Sequence, residues 1–323
     1  MADIESQSEA APLDRETLTV SVVVPAHDEE GNVRPTVEAM ASMLEASGLS
    51  GEVVLVDDGS IDGTLAEARR LEAEFPFLRV LTQQPRRGLS RALETGFAAA
   101  TGDIIVFYPA DLQFSADDIP RMVDELLEGY DIVTGWKQGK YEKRFVSGIY
   151  NQLSRWLFDI KVHDLNSVKA FRRELLDIFE FRSDFHRYLV VMAVREGYRA
   201  GEVKVQLSPR REGKSKFSGG WRLMVGLLDF FAVWFQYRFA SRPLLLFGSA
   251  GIFSLASGFV VGLWAVYLRF VLSDGFRPLL TLTALLITLG VLLFGLGFLG
   301  ESIQALSRRL DRVERGGSPT RRD

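Results

Sequence analysis

The chain is 323 residues long, carries 38 basic and 42 acidic side chains for a formal net charge of −4, and contains 0 cysteines. The length allows a sizeable core in one large domain or two ordinary ones. The missing thiols exclude a disulfide framework, a thiolate metal site and a cysteine nucleophile, and the near-balanced charge gives no sign of a nucleic-acid partner.

Residues 1–18 are polar and acidic, which predicts a disordered tail and excludes a cleaved signal peptide, since they hold no apolar core. From Leu18 onward strand and helix patterns alternate. Strands are expected at Val20–Pro25, Glu52–Asp57, Leu78–Thr82 and Ile104–Tyr108, with helices at Asn32–Ser47, Gly63–Phe75 and Leu89–Ala100. This alternation predicts an α/β fold, a mostly parallel sheet with helices on both faces. Further on, Gly219–Phe239 is rich in Trp, Phe, Leu and Met but broken by Arg222, Asp229 and Arg238. Such a composition suits interfacial amphipathic helices.

Two uncharged apolar runs follow, Leu244–Leu268 and Leu279–Gly300. At ~1.5 Å per residue each is long enough to cross a hydrocarbon core of ~30 Å. Small residues at Gly248, Ala250, Gly251, Ser254, Ser257 and Gly258 mark a face on which the first span can pack against the second. Arg238 and Arg242 precede the spans and Arg308, Arg309, Arg312 and Arg315 follow them, whereas the connecting loop holds only Arg269 and Arg277. The bias predicts both termini on the cytoplasmic side.

The chemistry-bearing residues gather at strand ends. The first strand runs into Pro25-Ala-His-Asp-Glu-Glu, the second into Asp57-Asp-Gly-Ser with Asp62-Gly-Thr after it, and the fourth into Pro109-Ala-Asp-Leu-Gln. Open α/β sheets bind ligands beyond the carboxyl ends of their strands. A single carboxylate there is usually a cap or turn residue, but three successive strand ends on one edge are harder to dismiss. Neither G-x-G-x-x-G nor G-x-x-x-x-G-K-[ST] is present, so neither a dinucleotide fold nor a P-loop is supported.

These segments, with Gly88-Leu-Ser-Arg-Ala-Leu-Glu-Thr-Gly and the basic Arg210-Arg-Glu-Gly-Lys-Ser-Lys, resemble the family 2 glycosyltransferases of GT-A fold. The basic segment ahead of the membrane elements narrows the likeness to the polyprenyl-phosphate branch, the relatives of dolichol-phosphate mannose synthase. The resemblance implies a GT-A domain at 19–217, interfacial helices at 218–242, a two-helix membrane region at 243–300 and a basic cytoplasmic tail at 301–323. It implies transfer of one sugar, with inversion, from a UDP-hexose or GDP-mannose to polyprenyl phosphate at the inner membrane. A different lipid acceptor and a non-catalytic partner that keeps the fold are the alternatives, and a homo-oligomer is left open.

Residue by residue, the resemblance puts Pro25, His27 and Glu29 around the nucleoside, Asp57 against the base, and Ala110 and Asp111 at the ribose and diphosphate. Asp111 and Gln113 would hold Mg²⁺ or Mn²⁺ on the diphosphate. Lys137, Arg210 and Lys216 would bind the donor's phosphates, and Lys143, Ser147 and Lys214 the acceptor phosphate. Asp164 would bind the sugar or orient a basic side chain. One departure stands out: the family pattern has an acidic residue two before Asp111, where this chain has Pro109. Weaker metal binding is expected in consequence, not its loss, because Mg²⁺ needs only one or two carboxylates plus phosphate oxygens. The stretch Ser167-Val-Lys-Ala-Phe is one residue shorter than the pattern and lacks its Gly, which leaves Lys169 and Phe171 without assigned roles. His163 and His186 read as exposed polar residues.

Overall fold

The computed structural model describes residues 13–139, 160–179, 188–208, 243–271 and 277–316, with side chains as far as 306 in the last stretch. The chain divides into two compact units, Met1–Lys216 and Phe217–Asp323.

The first unit is a seven-stranded sheet. In chain order its elements are β1 (Thr19–Ala26), α1 (Glu30–Ser47), β2 (Ser50–Asp57), α2 (Thr64–Glu74), β3 (Leu78–Thr82), α3 (Leu89–Ala99), β4 (Ile104–Phe107), α4 (Asp118–Leu127), β5 (Ile132–Gln138), β6 (Lys169–Arg172), a 3-10 turn (Arg173–Ile178), α5 (Leu189–Arg195) and β7 (Ala200–Gln206). The strands lie in the order β3-β2-β1-β4-β6-β5-β7. Every neighbouring pair is parallel except the two that involve β6, which runs against both β4 and β5. The carboxyl ends of β1, β2, β4 and β5 and the amino end of β6 therefore share one edge.

Sequence periodicity explains the layers. Val20, Val22, Val23 and Val24 of β1 are all fully buried, as in a parallel strand covered on both faces. Helices α1, α2 and α4 cover one face, α1 through Val33, Val37 and Met40 and α4 through Ile119, Met122, Val123 and Leu126, both at helical spacing. Helix α3 packs on β1 and β2 through Ala92, Leu93, Gly96 and Phe97. There Phe97 meets Phe171 of β6 edge-on at 5.4 Å, and Phe171 meets Phe179 at 5.1 Å.

The second unit holds the two apolar helices. A π-helical turn at Leu244–Gly248 runs into α6 (Ser249–Phe270), and α7 spans Arg277–Gly316. Both are long and apolar enough to cross a membrane. They pack through Gly248, Gly251, Ser254 and Gly258, all buried, and the Ser254 hydroxyl donates to the Leu286 carbonyl at 2.8 Å. Of the small residues expected on this face, Ala250 is exposed and Ser257 only half-buried. Phe253, Phe259, Phe270, Leu296 and Phe298 point outward, an apolar surface that lipid would cover. Helix α7 continues unbroken past its apolar part into the stretch expected to be a separate tail.

Candidate active site

The loops beyond β1 and β2 are laced together by side-chain acceptors. The Asp28 N–H donates to Ser60 Oγ (3.0 Å), and Asp28 Oδ1 accepts from the Ile61 N–H (3.0 Å). The Glu29 N–H donates to Thr64 Oγ1 (2.7 Å), and the Glu30 carboxylate accepts from the Gly63 N–H (3.2 Å). Burial raises the Asp62 carboxyl, but hydrogen bonds from Thr64 and the Glu30 N–H outweigh it and hold the group below its usual range. Pro25, His27 and Glu29 line this edge half-buried. His27 Nε2 lies 3.3 Å from Asp28 Oδ2, and Glu29 Oε2 accepts from the Asn32 amide at 2.6 Å.

The Asp57–Asp58 pair divides its work. Asp57 is fully buried, and its carboxylate accepts from the Ser60 N–H (3.3 Å) and the Thr82 hydroxyl (3.2 Å). It braces the turn after β2, and its carboxylate faces protein in this structure. Asp58 reaches the other way, accepting from the Arg87 N–H (2.8 Å) and the Gly88 N–H (2.9 Å), so it clamps the start of α3. The two loops meet so closely that a Cβ on Gly59, at φ +67°, would sit 2.8 Å from the Arg86 nitrogen. Sequence reasoning weighed Asp57 alone, although Asp58 stood beside it in the same motif.

Beyond β4 the chain forms a short loop carrying Ala110, buried, and Asp111 and Gln113, half-buried. Leu112 between them takes φ +55°, a costly conformation for a branched side chain. The Ala110 carbonyl accepts from the Thr36 hydroxyl (3.4 Å), the Gln113 carbonyl from the Ser208 N–H (2.8 Å), and Asp111 Oδ1 from the Gln113 N–H (3.3 Å). Among the described residues no three His, Asp or Glu side chains come together as a metal cluster. One carboxylate and one amide oxygen on a braced loop still fit Mg²⁺ or Mn²⁺, hard ions that complete their shells with phosphate oxygens and water.

Lys137 ends β5 on the same edge. Its Nζ lies 3.4 Å from Asp164 Oδ2 and donates to the Asn166 carbonyl, with both side chains largely buried (12% and 4% exposed). Asp164 is itself placed by its loop: its carbonyl accepts from the Thr134 hydroxyl (3.0 Å) and its Oδ1 from the Asn166 N–H (2.9 Å). The fully buried Lys169 stands at the same edge, where β6 pairs Phe107 and Thr134, and its Nζ donates to the Ser167 carbonyl (2.9 Å). His163, expected to be an exposed polar residue, stacks on Trp136 at 4.0 Å with its Nδ1 2.7 Å from Glu202.

The structure thus brings Pro25, His27, Glu29, Asp57, Ala110, Asp111, Gln113, Lys137 and Asp164 to one sheet edge. Lys143, Ser147, Arg210, Lys214 and Lys216, with the expected interfacial helices, lie outside the described residues.

Residues 21–179 match the family described as glycosyl transferase family 2. A dodecaprenyl-phosphate galacturonate synthase of Rhizobium johnstonii is 32% identical over 299 residues, covering 89% of this chain and 88% of that one. An undecaprenyl-phosphate 4-deoxy-4-formamido-L-arabinose transferase of Aeromonas hydrophila is 28% identical, covering 88% of each chain. Among solved structures, a glucosyl-3-phosphoglycerate synthase of Mycobacterium tuberculosis with Mg²⁺ and UDP superposes with a TM-score of 0.53 at 24% identity, over 66% of this chain and 79% of that one. That likeness establishes the GT-A fold. The chain belongs to glycosyltransferase family 2 and is a glycosyltransferase with two candidate membrane helices.

Proposed function

We propose that this family 2 glycosyltransferase moves a single sugar from a nucleotide donor to polyprenyl phosphate at a membrane surface. The observation that carries the reading is the extent of its likeness to the galacturonate synthase. At 89% of the chain, the match runs beyond the sheet domain into the apolar helices. The two-unit division supports a catalytic domain that ends near Lys216 and a membrane region that follows.

The nucleoside lies over Pro25, His27 and Glu29, and the diphosphate points toward Asp111 and Gln113. When bound there, Mg²⁺ or Mn²⁺ supplies Lewis-acid stabilisation of the charge that builds on the departing diphosphate. Lys137, held by Asp164 and the Asn166 carbonyl, presents its ammonium to that same charge without first having to be ordered. The acceptor phosphate oxygen forms the new bond at the anomeric carbon as the bond to the nucleoside diphosphate breaks, inverting that centre. A phosphomonoester has its second pKa near ~6, so it is already an anion near neutral pH and needs no general base. Lys143, Ser147 and Lys214 are assigned to the acceptor phosphate, and Arg210 and Lys216 to the donor's. The arginines flanking the spans support a cytoplasmic position for the catalytic domain and both termini.

Purified full-length protein in detergent, given undecaprenyl phosphate, Mg²⁺ and a panel of labelled nucleotide sugars, tests the proposal. UDP-galacturonate heads the panel, followed by UDP-hexoses and GDP-mannose. Metal-dependent label in the lipid phase from one donor supports the reaction and identifies the sugar. Nucleotide binding with no lipid product from any donor rejects the acceptor.

A further inference from the structure

The loop that carries Asp111 and Gln113 is short, contains a left-handed Leu112, and is held by bonds from outside itself. A further bond closes the base of the loop and comes from a core side chain. Tyr108 follows β4 and is 1% exposed, packed in the core beneath α1 and α4. Its N–H donates to the Val23 carbonyl of β1 at 3.0 Å, which fixes its main chain to the sheet. Its hydroxyl donates to the Phe114 carbonyl at 2.5 Å, on the far side of the loop. Tyr108 therefore spans the base of the loop, with one end in the sheet and the other at the residue after Gln113.

We infer that Tyr108 is a positioning residue: its hydroxyl, bonded across the base of the Pro109–Gln113 loop, holds Asp111 and Gln113 at the separation at which both oxygens reach one divalent cation. The inference rests on the assignment of those two residues to the metal. A Phe would fill the same volume, so packing alone does not call for the oxygen. The oxygen is aimed at a loop carbonyl, and the loop it closes is strained at Leu112 and would relax without it. Burial, with Asp111 adding to it, pushes the phenol well above its ordinary range, so the group remains a donor at every working pH.

Tyr108→Phe tests this by binding and by kinetics. Mn²⁺ binding to the full-length protein is read by electron paramagnetic resonance with UDP, and again with GDP. In the variant the apparent Mn²⁺ dissociation constant should rise about fivefold to tenfold, the size of effect a lost hydrogen bond produces. The Mg²⁺ concentration for half-maximal transfer should rise in step, while kcat at saturating Mg²⁺ stays near wild type. Thr36→Val loosens the same loop at Ala110 and should shift Mn²⁺ affinity the same way by a smaller factor. Unchanged Mn²⁺ affinity in a folded Tyr108→Phe protein, or in Thr36→Val should Tyr108→Phe not fold, overturns the inference, even if thermal stability falls. A wild-type protein that binds no Mn²⁺ with either nucleotide removes the metal assignment itself, a result distinct from equal binding by wild type and variant.

Discussion

Asp164→Asn removes one negative charge from beneath Lys137 and changes almost nothing in volume. The Nζ–Oδ2 separation is 3.4 Å. At an effective dielectric near 20 the direct attraction is about 5 kcal/mol, most of it offset by the cost of taking both charges out of water. The net value of a charge-assisted hydrogen bond is about 1.5–3 kcal/mol. If Asp164 serves to aim Lys137 at the leaving diphosphate, kcat/KM should fall about 10- to 150-fold. Lys137→Met should cost more, because it removes the cation itself. The double variant should then be no slower than Lys137→Met alone, since an aiming residue has nothing left to aim. Transfer of labelled sugar to undecaprenyl phosphate, measured for the four proteins of this cycle, gives the coupling directly. Thermal midpoints provide an internal control. Asp164→Asn leaves a largely buried ammonium without its counter-charge and should be destabilised, and adding Lys137→Met should recover part of that loss. An Asp164→Asn enzyme with wild-type kcat/KM, or a double variant in which the two losses multiply, refutes the reasoning.

Asp111→Ala should lower turnover by at least about 100-fold and abolish the response of donor binding to Mg²⁺, read by isothermal titration of the nucleotide with and without metal. Gly96→Ala places a Cβ 2.3 Å from Val23 Cγ1, where α3 rides directly on β1. It should destabilise the sheet domain by about 2–3 kcal/mol, a drop on the order of 5–10 °C in thermal midpoint. Glu52 accepts hydrogen bonds from Ser21 Oγ and from the N–H and hydroxyl of Thr101. Burial raises its carboxyl, but these bonds win and hold it below its ordinary value. A lowered folded pKa stabilises above the unfolded value and ceases to do so as pH falls through the folded one. Glu52→Gln should therefore cost about 1 kcal/mol at neutral pH, and denaturant titrations should show the gap from wild type closing below about pH 4.

The strands were legible because the sheet is local in its grammar. Runs of Val and Ile bounded by Pro, Asp and Gly mark β1, β2 and β4, and β3 falls at Leu78–Thr82 as expected. The burial of Asp57 was also available. It ends the apolar run Val53–Val56, which is buried on both faces of the sheet, so either face turns its carboxylate into protein. The antiparallel course of β6 was not available, because nothing in Lys-Ala-Phe-Arg specifies direction. Its partners β4 and β5 do, through pairings distant in sequence. The same holds for Asp164 under Lys137 and for His163 on Trp136. Each is a contact between a loop and a strand that no spacing rule connects. Tyr108 escaped notice for a different reason: in sequence it reads as one more core residue at the end of an apolar strand, and only the course of the loop gives its hydroxyl a partner.

Pro109 bears on the order in which the site fills. With proline where the family pattern carries an acid, the loop offers one carboxylate and one amide oxygen, and among the described residues no three His, Asp or Glu side chains gather as a cluster. One carboxylate is a weak hold on a strongly hydrated divalent ion in water. The donor's diphosphate brings several more oxygens and more negative charge than the protein supplies. The ion should therefore enter as the metal–nucleotide complex, with the braced loop receiving it instead of binding it beforehand. Fewer fixed negative charges also mean less repulsion as the diphosphate approaches, which offsets part of the lost ligand. Mn²⁺ titrations followed by electron paramagnetic resonance, with and without saturating nucleotide, separate the two orders. Apparent affinity should rise by at least about tenfold when nucleotide is present. Replacing Pro109 with Asp should narrow that difference by raising affinity for the ion alone. Mn²⁺ that binds the wild type equally well without nucleotide would mean that further ligands complete the site from outside the loop, and the argument from Pro109 would fail.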